Sequence, residues 1–272
     1  MQRRSHFLEK TLSGITRTLE QSLFAEAISL QPGVFQALDP RLKIIATLAL
    51  LMGVSMAHNA WVIGAVYLLA VCFALASAIP ADFFIRRVWL AVPLFTGLIA
   101  LPALFMIPGQ PLVHLPFGLI ITRPGAQSVL FLLLRVGTSL SLVLLLILTT
   151  PWNAVLGALS VLRVPDVFIL ILGMTFRYIY LLLHIANDMF LSRKSRVIGR
   201  MSGAEERHML AAIGANLLSK SLNMSSEVYL AMVSRGYRGT VVTFKPFRMR
   251  RQDWFWSAFF ALTAVVIMYL GR

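Results

Sequence analysis

Residues 165–194, PDVFILILGMTFRYIYLLLHIANDMFLSRK, decide the fold, because the apolar run 167–185 inside them is long enough to cross a hydrocarbon core yet need not do so. At 100° per residue Arg177, Tyr180, His184, Asn187, Asp188 and Ser195 share one stripe, with Ile179, Leu182, Leu183, Ala186, Met189 and Phe190 on the other side. Residues 186–252 then carry twelve Lys and Arg against four Asp and Glu. A crossing would send that basic segment outward, against the rule that short basic loops stay inside. The helix is therefore expected to lie along, or dip into, the cytoplasmic face of a membrane.

The rest of the chain supplies the orientation that this argument needs. Its 272 residues are 58% hydrophobic and only 13% charged, and the mean hydropathy is +0.79. Soluble domains carry roughly 25% charged residues, so this chain belongs in a bilayer. Apolar runs at 42–57, 60–79, 88–107, 126–149 and 254–270 approach or reach the roughly 20 residues that a crossing requires. Arg3, Arg4, Lys10, Arg17, Arg41 and Lys43 lie before or at the start of the first run, whereas His58 and Asn59 after it bring no Lys or Arg. The N-terminus is thus expected inside, the loop with Arg86 and Arg87 inside, the segment 108–125 with its lone Arg123 outside, and 151–164 inside again.

The fold class that follows is an all-α polytopic membrane protein with about five transmembrane helices and a cytoplasmic module of long helices. The expected division is a cytoplasmic N-terminal segment, 1–41, a four-span domain, 42–149, a cytoplasmic helical module, 150–252, and a last transmembrane helix, 253–272. Leu8, Leu12, Ile15, Leu19 and Leu23 suggest an interfacial helix in the first segment, against lipid or a partner. Charged residues throughout the first thirty positions leave no signal-peptide core, so the first span is expected to act as an uncleaved insertion signal.

Within the module, 165–194 makes a helix about 45 Å long, with Pro165 at its first position and Asp166 in its first turn. Ser202 and Glu205 have capping-box spacing, starting a helix of about 48 Å that runs to Ser234 and ends at Gly236. A shorter helix, 151–162, follows Thr150 as its cap.

Chemistry-bearing motifs are absent. The sequence contains no GxxxxGK[ST], HExxH, GxSxG or GxGxxG, so no catalytic residue is expected. Cys72 is the one cysteine, which excludes an internal disulfide. His184 and Asp188 have ligand-like spacing, but a helix-face pair is the better reading and no metal site is expected. Arg135, about ten residues into the fourth span, can pair with a carboxylate or a helix end, and a structural role is favoured. The spans hold no Asp or Glu and show no inverted repeat, which speaks against a self-sufficient secondary transporter. Asp39, Asp82, Asp166 and Asp188 are single and separated, which speaks against a lipid transferase.

Two triplets remain, Ser192-Arg193-Lys194 and Ser234-Arg235-Gly236, each expected to end a long helix. A lone arginine there is ordinarily a dipole partner or lipid contact. Two at corresponding ends suggest two knobs for two sockets, since guanidinium binds carboxylates and carbonyls in a planar fork.

With these residues in view the chain resembles the T component of an energy-coupling factor transporter, the CbiQ-like subunit of cobalt or nickel uptake systems. The resemblance rests on Leu38-Asp39-Pro40-Arg41-Leu42-Lys43, Thr149-Thr150-Pro151, Leu162-Arg163-Val164-Pro165, Phe176-Arg177-Tyr178-Ile179 and the two triplets. It implies a non-catalytic scaffold in a bacterial inner membrane, joining two ABC-type ATPase subunits to a substrate-binding S component, with Arg193 in one ATPase and Arg235 in the other. ATP and Mg would belong to the ATPase subunits and the metal ion to the S component, leaving no cofactor here. Membrane lipid is a partner and nucleic acid is not. Lys194 departs from the commoner Ala-Arg-Gly form. Related T components also serve biotin and other vitamins, an alternative that the residues leave open.

Overall fold

The computed structural model describes residues 33–107, 110–114, 120–196, 202–239 and 251–271, with Gly14 and Ser29. The expected interfacial helix at residues 8–23 falls outside them, apart from Gly14. In chain order the elements are α1 (Pro40–Met56), α2 (Ala60–Ala76), α3 (Ala81–Val92), α4 (Leu98–Met106), β1 (Pro111–His114), β2 (Ile120–Thr122), α5 (Arg123–Thr149), α6 (Trp152–Val161), α7 (Asp166–Arg196), α8 (Gly203–Ser234) and α9 (Arg251–Leu270). The chain forms two compact units. One holds α1 to α5, most of α6, and α9; the other includes the end of α6 from Leu159, with α7 and α8.

The first unit is a bundle whose helix directions are fixed by contacts at its two ends. At one end Phe73, late in α2, meets Phe35 before α1 and Trp256 in the first turns of α9, with ring centroids 5.4 Å apart in each pair. At the other end the His58 N–H, just past α1, donates to Gly271 O after α9 at 2.6 Å. Helices α1 and α9 therefore run parallel and α2 runs against them. Gly53 permits a close approach of α1 and α9, because a Cβ there would stand 3.0 Å from Ile267 Cγ2.

Residues 88–107 do not form one helix as expected. The helix starts at Ala81, a π-helical turn occupies Pro93–Gly97, and α4 follows. Pro93 has no N–H to continue the α-helical ladder, which is why the pattern loosens there. Arg86 and Arg87, expected in a loop, sit exposed on α3. A short antiparallel ribbon, β1 with β2, interrupts the otherwise helical chain where a plain loop was expected. Thr122 closes it by donating to Ile107 O at 2.8 Å, while its oxygen accepts the Gly125 N–H and caps α5.

Among the described residues three helices are long and apolar enough to cross a membrane by length and composition: Arg123–Thr149, Asp166–Arg193 and Arg251–Leu270. With the 17-residue α1 and α2 and the interrupted α3–α4 segment, the fold is that of a polytopic helical membrane protein. By this measure α7 is able to span; only the charge that follows it argues against a crossing.

In the second unit α8 begins with the expected capping box: the Glu205 N–H donates to Ser202 Oγ at 3.3 Å and the Ser202 N–H to Glu205 Oε2 at 2.7 Å. Pro165 precedes α7 instead of opening it, and its carbonyl accepts the Phe168 N–H. Thr150 does not cap α6. Its hydroxyl is buried without a partner among the described residues, and Pro151 O accepts the Ala154 and Val155 N–H groups.

Candidate functional site

Three charged residues of the first unit, Asp39, Lys43 and Asp253, are buried inside it. Lys43, one turn into α1, is 1% exposed. Its ammonium donates to Thr149 O at the end of α5 (3.1 Å) and to Gln36 O (3.3 Å), and Asp39 and Asp253 are the negative charges acting on it. Asp39 caps α1 by accepting the Arg41 N–H at 2.9 Å, while its own N–H donates to Asp253 Oδ1 at 3.2 Å. Both carboxylate residues are buried, at 7% and 4% exposure. One cation thus ties together the start of α1, the end of α5 and the start of α9. Asp39 is not the isolated acid that its sequence neighbourhood implies, and Asp253 went unnoticed because its partners lie over two hundred residues away. An uncompensated buried charge costs several kcal/mol, so this cluster stands or falls as a group.

Arg135 serves the opposite end of the bundle. Its Nη2 donates to Ala57 O, the C-cap of α1, at 2.6 Å, and its guanidinium lies 4.8 Å from the Phe131 ring centre. Of the two contacts open to it, the one with a helix end is present.

In the second unit α7 and α8 run antiparallel. Phe190 from α7 and Met209 and Ile213 from α8 are buried together, with Met189, Leu210 and Leu217 packed around them. Toward the other ends a groove of about 500 Å³ opens between Leu170, Met174 and Tyr178 on α7 and Met224, Val228 and Met232 on α8. The expected polar stripe is present in part: Arg177, His184 and Asp188 are exposed and Tyr180 is half-buried, its ring 5.0 Å from that of Phe176. Ile179, assigned to the apolar side, is 50% exposed. Among the described residues no group of three or more His, Cys, Asp or Glu is placed to hold a metal ion.

The two triplets differ. Arg235 is the C-cap of α8, Gly236 follows at φ +84°, the Tyr237 N–H donates to Met232 O and the Gly236 N–H to Val233 O, both at 3.0 Å. This is a Schellman ending, and it presents Arg235 at the tip of a 32-residue helix. Ser192, Arg193 and Lys194, by contrast, do not end α7, which continues to Arg196. Lys194 cannot supply the left-handed terminus that glycine offers without strain, and the Ser195 hydroxyl folds back onto Ser192 O at 2.9 Å within the helix. The side chains of Arg193 and Arg235 are both exposed, and neither guanidinium has a hydrogen bond or ion pair among the described residues. Arg196 and Asn216, which the sequence did not single out, line a small cavity with Arg193 and Asp188.

Residues 33–245 match the family model described as CbiQ, cobalt transport protein. An uncharacterized protein of Methanocaldococcus jannaschii is 34% identical over 239 residues, 86% of this chain and 81% of its own length. The nickel permease LarQ of Lactiplantibacillus plantarum is 26% identical over 147 residues, 54% of this chain and 51% of its own. A second uncharacterized M. jannaschii protein is 23% identical over 209 residues, 75% of this chain and 76% of its own. With a helical membrane bundle, a pair of long helices and a family match across most of its length, the chain belongs to the CbiQ cobalt transport protein family.

Proposed function

We propose that this chain is the transmembrane coupling subunit of an energy-coupling factor importer, carrying the motion of two ABC-type ATPase subunits to a separate substrate-binding membrane subunit. The observation that carries the reading is the pair of exposed arginines, Arg193 and Arg235, on two long helices, each without an intrachain hydrogen bond or ion pair among the described residues. A guanidinium left unpaired on a rigid helix is suited to a carboxylate or carbonyl of another chain. Each arginine engages one ATPase subunit, and a change in the separation of the two subunits moves α7 and α8. Chemistry remains with the ATPase subunits, which bind ATP and Mg, and the metal ion stays with the substrate-binding subunit.

In this reading residues 42–149 and 253–272 form the membrane domain, 150–252 the coupling module, and α7 stays on the cytoplasmic face of the inner membrane. The basic surplus that follows α7 supports that side. Cobalt is the favoured cargo, with nickel second, because the family model is described as cobalt transport and one relative is a nickel permease.

Co-expression with the ATPase subunits tests the reading. The unaltered chain, extracted in detergent, is expected to bring the ATPase down, and the Arg193→Glu/Arg235→Glu double variant to lose it. A folded double variant that keeps its full complement of ATPase overturns the assignment.

A further inference from the structure

The cavity beside Arg193 measures about 300 Å³ and lies between the last turns of α7 and the first half of α8. Arg193 and Arg196 line it from α7, three residues apart and therefore on one helix face, and Asn216 reaches it from α8. Like charges at this spacing repel, and neither guanidinium has a hydrogen bond or ion pair among the described residues. Asp188 lines the same space and its carboxylate is likewise without a hydrogen bond or ion pair there. The floor is apolar: Met189 and Ile213 belong to the buried cluster that joins the two helices. The polar groups thus stand beside the buried cluster that joins the two helices.

We infer that this cavity receives an acidic side chain of the ATPase subunit, clasped between Arg193 and Arg196 in a two-arginine socket. The inference rests on the reading that Arg193 meets an ATPase. Two guanidiniums against one carboxylate leave the site a net positive charge, which calls for an anion. The planar forks suit a carboxylate bidentately, and the Asn216 amide is a further donor. Asp188 supplies an acceptor at the same site, so the fitting segment carries a hydrogen-bond donor beside its acid. It also carries an apolar group for Met189 and Ile213. A helix that continues past Arg193 is what puts Arg196 on the same face; a glycine at position 194 would favour ending the helix before it.

The test uses the full chain assembled with its ATPase subunits in native membranes. A photoreactive benzoylphenylalanine in place of Asn216 is expected to crosslink to an ATPase subunit at a segment containing Asp or Glu. Crosslinking to lipid, or to residues 1–25 of this chain instead, overturns the inference. Arg196→Ala is expected to weaken ATPase binding by about tenfold, the loss of one charged hydrogen bond, with Arg196→Lys intermediate. The unfolding temperature of the chain alone should stay unchanged. Unweakened binding in Arg196→Ala sinks the socket. If the Arg193→Glu/Arg235→Glu variant still strips the ATPase in that case, only the socket is wrong; if it does not, the proposed function falls as well.

Discussion

Two sets of charges, one at the helix ends of the bundle and one on the surface of the α7–α8 unit, are treated in opposite ways. In the bundle, Lys43, Asp39, Asp253 and Arg135 find partners within the chain, at helix ends that lie far apart in sequence. In the α7–α8 unit, Arg193, Arg196, Arg235 and Asp188 stand on helix surfaces with no hydrogen bond or ion pair among the described residues. A buried charge must be compensated where the protein folds, whereas an exposed one can wait for another chain. The contrast separates charges that build the scaffold from charges that serve as contacts.

The largest effect is expected from Lys43→Met, which removes the buried cation on which Asp39 and Asp253 act and should cost about 3–5 kcal/mol. Thermal unfolding of the purified chain in detergent reads it, and Asp253→Asn added to Lys43→Met should restore part of the loss. Additive losses would mean that the two residues are not coupled. Arg135→Ala removes a charge-assisted bond to the end of α1 and is expected to cost about 1.5–3 kcal/mol by the same measurement. Gly236→Ala forces a side chain into the left-handed region at φ +84° and should cost about 1 kcal/mol, visible as faster hydrogen exchange in the last turn of α8. Ser202→Ala, which removes half of the capping box, should cost about 1 kcal/mol and loosen the first turn of the same helix. Smallest are Arg193→Ala and Arg235→Ala, each expected to change the stability of the isolated chain by less than about 0.5 kcal/mol while reducing ATPase capture. A marked loss of stability in either would break the contrast, because it would reveal an internal partner.

Much of this was legible beforehand. The capping box at Ser202 and the glycine terminus at Gly236 depend on residues only a few positions apart, and both formed as the spacing predicts. The runs at 42–57, 60–79, 126–149 and 254–270 became helices for a similar reason, since apolarity sustained over a span is a local property. Prediction failed where an alternative partner won. Pro93 split the run 88–107, the Thr150 hydroxyl was buried away from the start of α6, and Lys194 let α7 run on to Arg196. Arg86 and Arg87 marked a boundary by charge but were absorbed into α3, because basic residues serve as well in an exposed helical turn as in a loop.

From the order of residues alone came the membrane class, the helical periodicities, the caps and the candidate arginines, all consequences of hydrophobicity and of interactions within a few positions. Only the tertiary structure brought Lys43 to Thr149 and Asp253, set Arg135 on the end of α1, and gathered Arg193, Arg196, Asp188 and Asn216 around one cavity. Those meetings join residues on different helices, and nothing in a linear pattern records which helix faces will meet once the chain has packed.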